Sequence, residues 1–212
     1  MSNENFNSGG HFVIDQYGNR FEITEELARG GQGVVYKTTD SDLAIKQPLG
    51  PNGKPDRNST LMDDFARIRC LPLPEGLPIS LPVSILSSAP GYVMTLLNGM
   101  KPFGSFYLNG EAREELDAEP LPSWLAGMPS RDAAAPLMFY AKTGSSKRRL
   151  YALYKCAALL ARLHAAGLVY GDVSPNNAFI AEGEPCDVWL IDADNLRLER
   201  MSGGPSVYSP HY

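Results

Sequence analysis

The chain lacks the residue patterns that mark several common protein classes. It has three cysteines in 212 residues, Cys70, Cys156 and Cys186, with no CxxC pair and no neighbouring histidine pattern. An odd number of widely spaced cysteines argues against a disulfide framework or a zinc site, and it favours a reducing cytoplasm. The three histidines are equally scattered, so we expect no histidine metal site.

Long apolar runs and basic clusters are also scarce. The most apolar window, CAALLARLHAAGLVY, contains Arg162 and His164, so we expect no membrane span. The opening MSNENFNSGG lacks the basic start and apolar centre of a signal peptide. Lys and Arg number 19 against 24 Asp and Glu, a net charge of −5. Phosphate backbones are bound by clustered Lys and Arg, so we expect no nucleic-acid surface.

The first part of the chain is rich in strand patterns. HFVID, RFEIT, ELARGGQGVVYKTTDSDLAIKQ, LPVSIL and GYVMTLL alternate β-branched or aromatic segments with turns, which predicts antiparallel strands. STLMDDFARIRCL predicts one short amphipathic helix, with Leu61, Phe65 and Ile68 on its apolar face. The composition changes at Asn98-Gly99. We therefore divide the chain into a tail with a first strand (1–18), an upper unit (19–98) and a lower unit (99–212).

The lower unit has a less regular pattern. Residues 101–146 are rich in Pro, Gly and acidic residues and predict one or two short helices. A longer helix is predicted from Ser145 or Ser146 to Gly167. Its apolar stripe is predicted to comprise Leu150, Leu153, Tyr154, Ala157, Leu160 and Leu163 or His164. AFIAE and VWLIDA predict two short strands beyond it.

A glycine-rich loop and a lysine follow one another in the upper unit. In ARGGQGVV, Gly30, Gly31 and Gly33 would let the backbone approach a ligand closely. The next strand, LAIK, would place Lys46 under that loop, where an ammonium group can meet phosphate oxygens. On these residues alone, an ordinary turn and a surface lysine remain open alternatives.

Two polar segments of the lower unit, YGDVSPNNAFI and VWLIDADNL, contain Asp172, Asn177 and Asp192. Phosphoryl transfer needs carboxylate or amide oxygens on Mg²⁺ and a carboxylate that orients the attacking hydroxyl. These three residues are the right types for those roles. Taken singly, each could equally be a turn or cap residue.

In this order, the segments resemble the protein kinase family from about residue 20 to residue 212. GGQGVVYK resembles the glycine-rich loop, LAIK the strand with the phosphate lysine, YGDVSPNN the HRDLKPxN catalytic loop, and LIDADN the magnesium-binding DFG segment. YGDVSPNN with DADN most resembles bacterial kinases found joined to helix-hairpin-helix or phosphatase partners. The resemblance implies an α+β, two-lobed kinase-like fold, with an antiparallel β N-lobe containing one helix and a partial, mainly helical C-lobe.

The resemblance also implies an ATP- and Mg²⁺-dependent protein serine/threonine kinase with a protein substrate. Asp172 would orient the acceptor hydroxyl, Asn177 and Asp192 would hold Mg²⁺, and Lys46 would hold the α and β phosphates of ATP. The implied nucleotide pocket comprises Gly30, Gly31, Gly33, Val35, Ala44, Lys46, Met94 and the backbone of Thr95 and Leu97. Met94 is equally compatible with plain core packing.

Several positions depart from the family pattern. Ser174 stands where the family has a lysine, which removes a cation near the transferring phosphate. The helix has no glutamate to pair with Lys46, so Asp64, or else Asp63, is expected to take that role. In DADN, Asp194 replaces a glycine, and we favour a turn-capping role for it over an added charge near the metal.

The closing VYSPHY resembles the segment just before the family's APE anchor. We therefore expect the helices that complete the lower lobe to be missing and a partner to cover the exposed apolar surface. Two alternatives to a protein kinase remain. One is a small-molecule kinase of the aminoglycoside or choline type, whose loops also have GD followed by Asn five residues later. The other is a nucleotide-binding pseudokinase or scaffold, which Ser174 and Asp194 favour.

Overall fold

A six-stranded antiparallel sheet forms the upper lobe. The computed structural model describes residues 11–30, 33–56, 61–183 and 186–199. The strand order is β1-β2-β3-β4-β6-β5. The strands are β1 (Phe12–Ile14), β2 (Arg20–Gly30), β3 (Gly33–Thr38), β4 (Leu43–Gln47), β5 (Pro82–Ile85) and β6 (Tyr92–Thr95), with helix α1 at Leu61–Arg69. The predicted strands and the single helix are confirmed, and β1 pairs with β2 in the same sheet.

The two faces of the sheet bury different apolar clusters. Successive side chains of a strand point to opposite faces, so Ala44 and Ile45 of β4 contribute to different clusters. Ile45 packs with Val13 and Val93 on one face. Ala44 packs on the other face, in a cluster that includes Phe65 of helix α1. The helix thus covers the sheet face that carries Ala44.

The lower lobe combines helices with two small sheets. Its elements are β7 (Met100–Pro102), α2 (Gly110–Asp117), α3 (Arg131–Lys142), α4 (Ser145–Ala165), β8 (Leu168–Tyr170), β9 (Ala178–Ala181), β10 (Val188–Leu190) and β11 (Leu196–Leu198). The strands form a β10-β9-β7 sheet and a β11-β8 pair. Asn109 and Ser130 cap α2 and α3 by accepting from backbone N–H groups. No helix within the described ranges is long and apolar enough to cross a bilayer.

The apolar stripe predicted for α4 is wrong for its first half. Leu150, Leu153 and Tyr154 have 65%, 58% and 65% of their surface exposed. Ala157 and His164 are also exposed, whereas Leu160 is half-buried. The buried face comprises Ala152, Cys156 and Leu159, which were not predicted, together with the predicted Leu163. Apolar residues occur on both sides of this helix, so the period alone does not select the buried side. Small side chains at positions 152 and 156 let the helix pack closely against β9 and β10.

Candidate active site

Lys46 lies near the end of β4, between β3 and β6, with 3% of its surface exposed. Its Nζ donates to Asp192 Oδ1 at 2.8 Å and to Asp194 Oδ2 at 3.0 Å. Both carboxylates belong to the lower lobe. The predicted phosphate lysine therefore meets the predicted metal-binding segment, and their contact joins the two lobes.

Burial and charge act in opposite directions on Lys46. Burial opposes the charged ammonium, but Tyr92 and the carboxylates of Asp192 and Asp194 raise the pKa of Lys46 above its ordinary value. Burial in turn raises the pKa of Tyr92, although the Lys46 charge partly opposes that rise. Tyr92 is thus neutral at neutral pH, and the two carboxylates hold Lys46 in its charged form.

The catalytic-loop segment is fixed by a hydrogen bond between its two predicted functional side chains. Asn177 Nδ2 donates to Asp172 Oδ2 at 2.8 Å and to the Asp172 carbonyl oxygen at 3.1 Å. Asn177 is buried, whereas Asp172 is half-buried. The other carboxylate oxygen, Asp172 Oδ1, is buried and has no hydrogen-bond partner among the described residues. One oxygen therefore orients the carboxylate while the other remains a free acceptor.

The DADN segment is placed directly beside this loop. Ile191 N donates to the Asn177 carbonyl oxygen at 3.0 Å, which brings the next residue, Asp192, close to Asn177. Asp192 has a left-handed backbone, with φ 55° and ψ 60°, and a 3-10 turn, Ala193–Asn195, follows it. Through these contacts the structure brings together Lys46, Asp172, Asn177 and Asp192, the four predicted catalytic residues.

Asp194 does more than terminate a turn, which corrects the role we favoured for it. Its Oδ2 accepts from Lys46, and its Oδ1 accepts from the Tyr92 hydroxyl at 3.4 Å. The Asp194 carbonyl oxygen accepts from Arg67 Nη2 of helix α1 at 2.8 Å. The side chain thus lies inside the charge cluster, although its backbone does take part in the 3-10 turn.

The helix acid expected to pair with Lys46 is not among the ion-pair partners described for that lysine. Those partners are Asp192 and Asp194. Asp63 is exposed, and the side chain of Asp64 lies outside the described residues. A pairing with Asp64 therefore stays a prediction.

The apolar part of the expected nucleotide pocket is assembled in one cluster. Val35, Ala44 and Met94 pack together with Phe65 from α1. Met94 thus packs in the core of the upper lobe, and its contact with an adenine ring stays a prediction. Thr95 and Leu97 are half-buried where the chain passes from β6 towards the lower lobe. The Thr95 carbonyl oxygen accepts from Ser80 Oγ at 2.7 Å.

The glycine-rich hairpin lies next to Lys46 in the sheet. Gly30 pairs with Gly33 where β2 and β3 meet. A Cβ at Gly33 would lie 2.4 Å from the Gln47 carbonyl oxygen, so only glycine fits there, whereas a Cβ at Gly30 would meet nothing within 4 Å. The prediction for Gly31 lies outside the described residues. Glycine is thus required at position 33 by the neighbouring strand itself, independently of any ligand.

The oxygen atoms beside DADN suit a hard divalent cation. Asn177 donates through Nδ2 and Asp192 is bound to Lys46 through Oδ1, so Asn177 Oδ1 and Asp192 Oδ2 lie outside these bonds. Mg²⁺ prefers oxygen ligands and commonly takes only one or two from protein, with substrate phosphates completing its shell. No group of three or more His, Cys, Asp or Glu side chains in the described ranges forms a metal site by itself. The pair fits Mg²⁺ held jointly with a phosphate ligand.

Sequence reasoning missed two contributors to this site, Tyr92 and Arg67. Both lie in segments that the sequence predicts only as regular elements, Tyr92 in the strand GYVMTLL and Arg67 in the helix STLMDDFARIRCL. An available signal was the acidic residue at position 194, where the kinase segment that DADN resembles has glycine. An added charge in such a segment needs partners, and these two side chains approach it from β6 and α1.

Comparison with known proteins supports the fold rather than a particular relative. No sequence-family profile matches the chain, and no curated protein matches it. Among solved structures it is similar to vaccinia related kinase 3, with a TM-score of 0.52 and 16% sequence identity. The match covers 88% of this chain and 51% of that one, so the chain spans about half the length of the matched structure. At this identity the likeness concerns the fold, and the chain has an α+β, two-lobed protein-kinase-like fold.

Proposed function

We propose that the chain is an ATP- and Mg²⁺-dependent kinase domain that transfers the γ-phosphate of ATP to serine or threonine hydroxyls of a protein substrate. The observation that carries the proposal is the state of the Asp172 carboxylate. One oxygen is held by Asn177, and the other is a buried acceptor without a partner among the described residues. A buried acceptor of this kind is unfavourable unless a donor joins it, and a substrate hydroxyl is such a donor.

In the proposed reaction, Asp172 Oδ1 accepts the hydrogen bond of the acceptor hydroxyl and aligns its oxygen with the γ-phosphorus. The bond between that phosphorus and the β–γ bridging oxygen breaks as the new P–O bond forms, and the hydroxyl proton passes towards Asp172. Asn177 keeps the carboxylate oriented. Lys46 supplies a fixed positive charge to the α and β phosphates.

Asn177 and Asp192 would hold Mg²⁺, which would neutralise charge on the phosphates. The glycine-rich hairpin would cover these phosphates, and Val35, Ala44 and Met94 would enclose the adenine. A cytoplasmic location is part of the same proposal, because ATP is available there and cysteines stay reduced. The partner expected on the apolar surface of the lower lobe stays a prediction.

The test is transfer of labelled phosphate from ATP in the presence of Mg²⁺, to the chain itself and to dephosphorylated casein. Asp172→Asn should lower the transfer rate about 10²- to 10⁴-fold, the usual contribution of a positioned acid–base group, while MgATP still binds. Asp187→Asn is the matched control, because Asp187 is an exposed carboxylate paired at 3.5 Å with Lys155. Equal transfer by wild type and Asp172→Asn would contradict the proposal.

Two alternatives predict different outcomes in the same assay. A small-molecule kinase would leave casein unlabelled and phosphorylate an amino-sugar or choline offered as acceptor. A pseudokinase would bind MgATP in calorimetry and label none of these acceptors. Ser174, which replaces a family lysine, and the charge of Asp194 are the observations that favour this second alternative.

A further inference from the structure

Among the described residues, Lys46 has two carboxylate partners, Asp192 and Asp194, and the two differ in their remaining contacts. Both are largely shielded: the Asp192 side chain is 22% exposed and the Asp194 side chain 13%. Asp192 is also the carboxylate expected to bind Mg²⁺, so its negative charge would be shared between Lys46 and the metal ion. In Asp194 both carboxylate oxygens already accept from protein groups, Oδ2 from Lys46 and Oδ1 from the Tyr92 hydroxyl. Asp194 is therefore the partner that can remain with Lys46 in every state of the site.

The segment carrying Asp194 is bound to helix α1. Arg67 donates through Nη2 to the Asp194 carbonyl oxygen at 2.8 Å and through Nη1 to the Leu196 carbonyl oxygen. One guanidinium group thus bridges two carbonyls of the segment, an arrangement that suits its planar set of donors. The neighbouring residue on the helix, Ile68, is buried in the cluster that also contains Ala193 and Leu196.

These contacts form a continuous connection from helix α1 to the phosphate lysine. The helix position fixes Arg67, Arg67 fixes the backbone of Asp194, and the Asp194 carboxylate fixes Lys46 Nζ. In this arrangement the helix reaches Lys46 by way of the lower-lobe segment. A shift of α1 would alter the backbone that presents Asp194, and with it the position of the ammonium group.

We propose that Asp194 is the positioning residue for Lys46 in this chain, and that Arg67 couples helix α1 to it. The proposal rests on the proposed function, because the position of Lys46 matters only where phosphates are bound. It assigns a role to the acidic residue that replaces the family's glycine. It also predicts that removing either Asp194 or Arg67 disturbs the same property of the site.

The experiment compares Asp194→Asn, Asp194→Glu, Arg67→Met and Arg67→Lys by two readouts: the rate of phosphate transfer with Mg²⁺, and MgATP affinity from calorimetry. Asp187→Asn and Arg113→Met are the charge-matched controls, because Asp187 pairs with Lys155 and Arg113 with Asp117, in ion pairs away from Lys46. All measurements are made well below the thermal midpoint of each variant, so that loss of fold does not enter. Arg67→Lys keeps the charge but loses the planar, two-pronged set of guanidinium donors, and it is the mildest variant if another fails to fold.

Asp194→Asn and Arg67→Met should each lower the rate of phosphate transfer about 10- to 100-fold, as expected when a group near the chemistry is misplaced. Each should also weaken MgATP binding at least about 3-fold, because Lys46 also contacts the phosphates of the bound nucleotide. Asp194→Glu should recover part of both losses because it retains the charge. The Asp194→Asn and Arg67→Met effects should not add in the double variant, since both act through one position. The controls should stay close to wild type.

The outcomes separate this inference from the proposed function. An active wild type with an equally active Asp194→Asn overturns the inference alone, and so does a loss that Asp194→Glu does not relieve. A wild type that binds MgATP without transfer removes the proposed reaction, and the inference is then decided by whether Asp194→Asn weakens binding. A wild type that neither binds nor transfers overturns both.

Discussion

Removing the Lys46 ammonium should destabilise the protein far more than removing an exposed lysine. Its Nζ lies 2.8 Å and 3.0 Å from two carboxylate oxygens, and its side chain is 4% exposed. Each attraction is about 6 kcal/mol at an effective dielectric constant of about 20, and the desolvation of the ions offsets most of it. Without the lysine, Asp192 and Asp194 remain as adjacent, shielded negative charges. Breaking such a buried group by removing one partner costs about 3–5 kcal/mol.

Thermal unfolding of Lys46→Met measures this loss directly. For a domain of this size, 1 kcal/mol lowers the midpoint by about 2–4 °C, so we expect a decrease of roughly 6–20 °C. Lys37→Met is the matched control. Lys37 pairs with Glu25 at 3.2 Å, and the two side chains are 42% and 57% exposed. An exposed pair contributes about 0.2–1 kcal/mol, so its midpoint should fall by less than about 4 °C.

Salt distinguishes the two pairs further. The Lys37 effect should shrink as ionic strength rises, whereas the shielded Lys46 group should respond less. Equal midpoint shifts for the two variants, or a Lys46→Met protein as stable as wild type, would refute the argument that this charge group stabilises the contact between the lobes.

Further predictions concern packing and pH. Gly33→Ala should lower the free energy of unfolding, measured with urea, by about 1–3 kcal/mol, because the new Cβ meets a carbonyl oxygen of the next strand. Gly30→Ala, whose new Cβ has open space, should show a much smaller loss in the same measurement. Leu159→Ala should lower the free energy of unfolding by about 2–5 kcal/mol, because Leu159 is buried. Leu150→Ala should lower it by only about 0.5 kcal/mol or less, because Leu150 is exposed. Equal losses would support the apolar stripe predicted from the sequence. Burial raises the pKa of Tyr170. The stability that the neutral hydroxyl contributes is therefore complete below the unfolded-state pKa of about 10, and it is lost as pH rises through the higher pKa of the folded state. Tyr170→Phe should therefore flatten the fall in unfolding free energy above pH 10, and an unchanged slope would contradict this assignment.

The upper lobe could be predicted from sequence because local signals there agree with one another. Alternation along LAIK and GYVMTLL, with turn residues between strands, specifies both the strands and the faces of Ala44 and Ile45. The resemblance of YGDVSPNN to a catalytic loop likewise placed Asp172 and Asn177 in one loop, and the structure brings them into direct contact. Local sequence patterns were sufficient to predict structure where the interacting residues lie close together in the sequence.

The remaining features depend on contacts distant in sequence. On α4, apolar residues occupy two sides, and only the packing of β9 and β10 decides that Cys156 faces inward and Tyr154 outward. Asp194 looked like a turn residue because its partners, Lys46 and Arg67, lie 148 and 127 positions away. Sequence periodicity carries no information about such pairings, so these roles emerged only with the fold.

The left-handed backbone of Asp192 restricts which substitutions this position can accept, whatever its chemistry. Its φ of 55° and ψ of 60° lie in a region that glycine, asparagine and aspartate enter most readily. Glutamate also has a carboxylate, but it lacks the short side chain that eases this conformation. A chain with this fold and no phosphate transfer would therefore still favour Asp, Asn or Gly at this position. An aspartate at position 192 is therefore, on its own, weak proof of catalysis, because the backbone conformation alone already favours it.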